Sequence, residues 1–316
     1  MATATSVTII AHPGATVNIA MPATQDIVPK VERKDDVERY AAHKRASVAV
    51  SRRIAAHLRA THQVSRAEQV EDCGSSLTMR AYHDPDHTRK LRRINACHHP
   101  LCLMCSWRWS LVWGDIIARA LQAAADDGAM LYHLVLTVPS TPQIHTADIS
   151  CVRQHAISYI RRHLHAASYI VAIEITCRDA GYHPHIHAIV DVPGGWDVDV
   201  RSIAALRAAW ASYAAPERDY LMCGLWPLRD ADKGARELAK YIVSLDANAL
   251  PTADIGMLCD AVKGVRKISS AGRLRELIAA AKRSSRRELV TTAHELTQYG
   301  YTDELYRWLG GRYERD

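Results

Sequence analysis

The stretch Tyr182-His183-Pro184-His185-Ile186-His187-Ala188-Ile189-Val190 decides how this chain is read. Three histidines at alternate positions run into an apolar, β-branched tail. In a strand, side chains alternate between faces, so His183, His185 and His187 project together while Ile186, Ala188 and Val190 enter a core. Upstream, Ile170-Val171-Ala172-Ile173-Glu174-Ile175-Thr176 reads as a partner strand, and Arg178-Asp179-Ala180-Gly181 supplies turn residues between the two. A hairpin closing near Ala180 brings Glu174 opposite the histidine row. Two imidazoles and a carboxylate suit a hard or borderline divalent ion with positions left open for substrate oxygens. A lone strand histidine is usually satisfied by backbone or water; three in alternation facing a glutamate argue for a site.

The rest of the composition sets bounds. At 316 residues the chain is long enough for one large domain or two smaller ones. A net charge of +6 with 17 histidines leans toward a polyanionic partner. No stretch approaches the roughly 20 apolar residues of a membrane span, and no basic-then-apolar leader opens the chain, so a cytoplasmic protein without a membrane partner is expected. Eight cysteines are too few for a disulfide scaffold at this length, and four cluster as metal ligands do.

Four regions follow in order. Residues 1–30 read as a flexible leader. Residues 31–125 read as a helical, zinc-binding, DNA-contacting module: a charged helix from Lys34 to about Thr61, then Cys73, the basic run Arg89, Lys90, Arg92 and Arg93, and the knuckle Cys102-x-x-Cys105. Two thiolates can grip one ion from a tight turn, and Cys97 with the distant Cys73 would complete a tetrahedral zinc site, His98 or His99 being alternatives to either outer ligand. Trp107, Trp109 and Trp113 start the apolar face of a helix ending near Gly128, and most of them are expected in the core. Residues 126–250 form an α/β domain: a strand Leu131–Val138 stopped by Pro139, a helix to about Ala167, the hairpin, a helix from Val200 to Tyr213, a strand through Leu221–Leu228, and a helix from Lys233 to Ser244 closed by Asn248 and Pro251. Residues 251–316 are read as helical and basic, for phosphate contact or solvation.

Within the last helix of the α/β domain, Glu237 and Tyr241 stand one turn apart on one face. A phenol with a pKa near 10 is a weak nucleophile at neutral pH and needs a polarised phosphate to attack. From periodicity alone Tyr241 reads first as a member of the core stripe Leu238, Tyr241, Ile242, Leu245.

The histidine segment resembles the His-hydrophobe-His motif of the HUH endonucleases, in particular the plasmid rolling-circle replication initiators, with His183-Pro184 matching the run before it. Three further stretches share the resemblance: Cys73-Gly74 with Cys97, Cys102, Cys105 and Trp107-Arg108; the strand ending Leu136-Thr137; and Glu237-Leu238-Ala239-Lys240-Tyr241, similar to an E-x-x-K-Y helix. It covers about residues 70 to 246. The resemblance implies an HUH/RRM-like α/β (α+β) fold, a central antiparallel sheet flanked by helices. It implies Mg²⁺ or Mn²⁺ at His185, His187 and Glu174, and structural Zn²⁺ at Cys73, Cys97, Cys102 and Cys105. Tyr241 would be the nucleophile left joined to a 5′ phosphate, and Glu237 the base of the terminating cleavage. Arg92, Arg93, Arg108 and Lys240 would contact DNA, with origin DNA, a host helicase and polymerase as partners. Ser244 departs from the family, which commonly has Lys there. The rival readings are an HUH transposase or mobilisation relaxase, a histidine-triad nucleotide hydrolase, and a non-catalytic zinc-supported DNA-binding protein.

Overall fold

The computed structural model describes residues 9–11, 15–17, 36–178, 181–196, 200–241 and 252–316. Of the expected leader it describes only β1 (Ile9–Ala11) and β2 (Ala15–Val17), an antiparallel pair within a unit of residues 1–36. The hairpin turn at Asp179 and Ala180 lies outside the described residues, as do Ser244, Asn248 and Pro251. Residues 37–316 form a second compact unit. It opens with α1 (Asp36–Ala60), α2 (Val64–Asp72), β3 (Ser76–Tyr82), β4 (Arg89–Ile94) and α3 (Leu103–Asp126). Next come β5 (Leu131–Thr137), α4 (Thr146–Arg162), β6 (Ser168–Arg178), β7 (Gly181–Asp191), α5 (Val200–Ala214), β8 (Cys223–Pro227) and α6 (Ala231–Tyr241). The unit ends with α7 (Thr252–Ala261), β9 (Ile268–Ala271), α8 (Gly272–Thr297), β10 (Tyr301–Leu309) and β11 (Arg312–Arg315). The mixed α/β class expected from the sequence is the one found.

The larger sheet is antiparallel throughout, in the order β8-β5-β7-β6-β9. Its two faces follow from the alternation of side chains. One carries Leu134, Leu136, Val171, Ile186, Ala188 and Val190 into a core with α4 and α5, where Tyr159 and Trp210 are fully buried. Buried polar tips need partners, and these have them: Trp210 Nε1 donates to the Thr137 carbonyl at 2.6 Å, and the Tyr159 hydroxyl to that of Leu206 at 3.1 Å. The other face is apolar at one end, where Ile170, Ala172 and Ile189 meet α3, α6 and α8, and carries the histidines at the other.

Pro184 sits inside β7, the central strand, where a missing N–H should break the ladder. β5 escapes the conflict by ending at Thr137, opposite His185, so no β5 residue pairs with Pro184.

The second sheet, β11-β10-β3-β4, was not foreseen. The basic run at Arg89–Arg93 is the strand β4, and Tyr301–Arg315 is a pair of strands returning to β3, whereas residues 252–297 are mainly helical. A separate core of α1, α2 and α7 buries Ile54, Leu58, Val70, Ile255 and Leu258. Of the α3 tryptophans expected mostly in the core, Trp107 and Trp113 pack against buried clusters without being fully enclosed. Trp107, Trp109 and Trp113 are half-buried, and each ring faces a cation: Arg39 at 5.2 Å, Lys267 at 5.0 Å and Lys282 at 4.1 Å from the centroids. Cation–π contact stabilises the open side of each ring.

Candidate functional site

The register of β6 on β7 pairs Glu174 with His185, so the carboxylate and the histidine row share a face. His187 Nε2 lies 3.2 Å from Glu174 Oε2, both side chains well shielded from solvent. His185 Nε2 stands 3.4 Å from the Thr176 hydroxyl, and the His183 and His185 rings are 4.1 Å apart. Imidazole and carboxylate are donor types that divalent ions accept, whereas among the described residues the four cysteines below are the group whose ligand atoms all lie within 4.8 Å of one another.

The strand on the other side of β7 adds a residue that sequence reading missed. His133 on β5 projects from the same face, 5.9 Å from the His187 ring. Its Nε2 is buried and has no hydrogen-bond partner among the described residues. Burial pushes its pKa down to about 4, assisted by His187 and opposed by Glu237, so the ring is neutral at neutral pH. The opposition from Glu237 reports that α6 lies over this face. α6 is anchored there by Ala235, Leu238 and Ala239, all buried in the core with α3 and β7. Glu237 is half-buried and bound to Lys240 Nζ at 2.8 Å. Tyr241 is the last residue of α6, and its side chain lies outside the described residues.

Elsewhere, Cys73, Cys97, Cys102 and Cys105 converge, with all sulfurs within 4.8 Å of one another. The separations of 3.6 Å for Cys73–Cys105, 3.6 Å for Cys73–Cys102 and 3.8 Å for Cys97–Cys105 match the edge of a ZnS₄ tetrahedron, about 3.8 Å for Zn–S bonds near 2.3 Å. Backbone N–H groups of Cys97 and His99 donate to the sulfurs of Cys73 and Cys97, each at 3.4 Å. The buried ammonium of Lys44 bonds the Cys73 carbonyl at 2.5 Å, and Lys267, which burial lowers to about 8, bonds Pro100 at 2.8 Å. Two cations beside four thiols offset the charge that tetrathiolate ligation would leave. Of the two alternatives to a cysteine ligand, His99 turns its Nδ1 to the Leu101 N–H at 3.2 Å. This cluster could hold a structural metal such as zinc.

The residues expected to touch DNA are dispersed. Arg92 and Arg93 are exposed on the edge strand β4, which runs directly toward Cys97; Arg108 is half-buried on α3; Lys240 is exposed beside Glu237. Among the described residues no helix is long and apolar enough to cross a membrane.

The chain is similar to "Protein rep" of Streptococcus pneumoniae serotype 2 (strain D39 / NCTC 7466), 29% identical over 138 residues. That match covers 41% of this chain and 42% of the relative, so the chain spans under half the length of that protein. No solved structure matches significantly. The model of the Rep_1 family, described as replication protein, matches residues 88–312, from the foot of β4 through the larger sheet into β11. That is well over half of the sequence, and the chain therefore belongs to the Rep_1 family of replication proteins.

Proposed function

We propose that this chain initiates rolling-circle replication of a plasmid, as an HUH-type, cytoplasmic single-strand endonuclease and strand transferase acting at a specific origin. The observation that carries the reading is the shared face: Glu174 opposite His185, His187 within 3.2 Å of Glu174, and α6 with Glu237 packed over them. Membership of a replication protein family supports it.

Mg²⁺ or Mn²⁺ bound by His185, His187 and Glu174 would supply positive charge to the phosphate oxygens. The remaining work belongs to side chains. The phenolic oxygen of Tyr241 gives its proton to solvent and attacks the phosphorus, the bond to the 3′ oxygen breaks, and that oxygen takes up a proton from solvent. The tyrosine keeps the 5′ phosphate while the free 3′ hydroxyl primes synthesis. In the terminating cleavage Glu237 takes a proton from a water whose oxygen attacks the phosphorus, the bond to the 3′ oxygen breaks and that oxygen takes up a proton from solvent, while Lys240 meets a phosphate oxygen. Arg92, Arg93 and Arg108 bind backbone phosphates, with a host helicase and polymerase acting on the opened strand.

The test is incubation of the chain with labelled single-stranded origin DNA and Mn²⁺. A denaturation-resistant adduct is expected, mapping to Tyr241 by mass spectrometry and absent from Tyr241→Phe and from His187→Ala. Duplex binding with no cleavage would overturn the proposal in favour of a zinc-supported binding protein. Nucleotide hydrolysis surviving Tyr241→Phe would overturn it in favour of a histidine-triad hydrolase.

A further inference from the structure

We infer that Trp226 is a stacking platform for a base of single-stranded DNA crossing the histidine face. Trp226 lies on β8, the edge strand of the larger sheet, in register with His133. Antiparallel partners share a face, so the indole belongs to the side that carries His187 and Glu174. Two ring-to-ring steps, 6.1 Å from Trp226 to His133 and 5.9 Å from His133 to His187, link the indole to the candidate cleavage site.

The indole is held in place by an absence. It folds back over Gly224 on its own strand, where a Cβ would stand 2.0 Å from Cη2 and 2.6 Å from Cζ2. Glycine weakens a strand, and here it marks a site where something comes close to the backbone. Although anchored beneath, Trp226 is 38% exposed, an open aromatic surface beside a polar site. The exposed cations Arg229 and Lys233 follow the strand within seven residues of Trp226 and are of the charge that phosphates seek. Aromatic platforms flanked by cations are how proteins hold single strands without reading their sequence, and duplex bases, already stacked, cannot use them.

The inference rests on the strand-cleaving reading for its substrate, and its test separates the two. Binding of a labelled oligothymidylate of roughly 20 nucleotides is followed by anisotropy across a salt series. Trp226→Ala is expected to weaken binding by about 5- to 150-fold while leaving the slope of log affinity against log salt unchanged, because no charge is removed. Trp226→Phe keeps most of the affinity, and Gly224→Ala, which displaces the indole, loses it. Far-UV circular dichroism matching the parent chain shows that each variant is folded. Affinity of Trp226→Ala within about twofold of the parent, or an altered salt slope, overturns the inference. In that event an adduct at Tyr241 still upholds strand cleavage; weakened binding without any adduct upholds the platform and rejects cleavage.

Discussion

Cys259 is 7% exposed among Ile255, Leu258 and Val262, and burial pushes its thiol up to about 12 from an ordinary 9.0. A raised acid keeps its proton in the folded chain when the unfolded chain has lost it. Stability contributed by Cys259 is therefore complete below pH 9 and declines as pH rises from 9 toward 12, at up to about 1.4 kcal/mol per unit. Cys223, raised to about 11 by burial on β8, acts in the same direction from pH 9 to 11. Urea unfolding between pH 8.5 and 10.5, in steps chosen on the order of half a unit, should show Cys259→Ala losing stability less steeply than the parent chain. Parallel declines would show that the thiol ionises in both states alike. His133 teaches what a single residue's sequence context conceals. In Leu131–Thr137 the apolar signal comes from Tyr132, Leu134 and Leu136, while His133 stands on the opposite face. Only the register of β5 against β7 makes that face the one with His187, and register is set by partners far along the chain.

At the scale of elements, β10 is the piece that binds the second sheet, lying between β11 and β3. It buries the Glu304 carboxylate, which accepts from Arg315 at 2.8 Å, from the Tyr306 hydroxyl at 2.9 Å, and from Arg89 on β4. Arg89→Ala removes one of those donors from a carboxylate that stays buried. The loss should be about 2 kcal/mol in urea unfolding, below the roughly 3–5 kcal/mol of a fully buried pair because Arg315 remains. A change under about 0.5 kcal/mol would mean that Arg89 behaves as a surface charge. The elements readable in the sequence were those whose apolar residues kept one period: β6, β7, β5 and the helix α6. β4 was hidden because its five-residue basic run reads as a charged surface, yet Leu91 and Ile94 are all the inward side needs against Leu77 and Met79. β10 was hidden for a related reason. Glu304 occupies an inward position, so the alternation of Tyr306 and Trp308 breaks where a carboxylate is buried. The histidine row and the four cysteines were legible because chemistry restricts such residues to a few spacings.

Over the whole molecule, the cysteine cluster joins parts remote in sequence. Cys73 follows α2, Cys97 follows β4, Cys102 and Cys105 open α3, and the Tyr313 hydroxyl on β11 donates to the Gly74 carbonyl beside them. Metal analysis of the purified chain should give about one zinc per molecule, and Cys102→Ser should lose it. If metal loss costs about 4 kcal/mol, the melting temperature falls by roughly 8 °C. An unchanged melting temperature in zinc-free Cys102→Ser would mean that packing alone holds the cluster. The same long reach governs how the molecule is made. β3 pairs along its length with β10, and Arg80 and Asp303, joined across that pairing, are separated by 223 positions. A ribosome adding roughly 5–20 residues per second needs about 11 to 45 seconds between the two. Throughout that interval the nascent β3 has a bare flank, able to hydrogen-bond a neighbouring polysome's chain instead of its own. Slower initiation or cooler growth, which thins the crowd of unfinished chains, is expected to raise the folded fraction of this protein, read as the share of the expressed chain left in the supernatant after centrifugation.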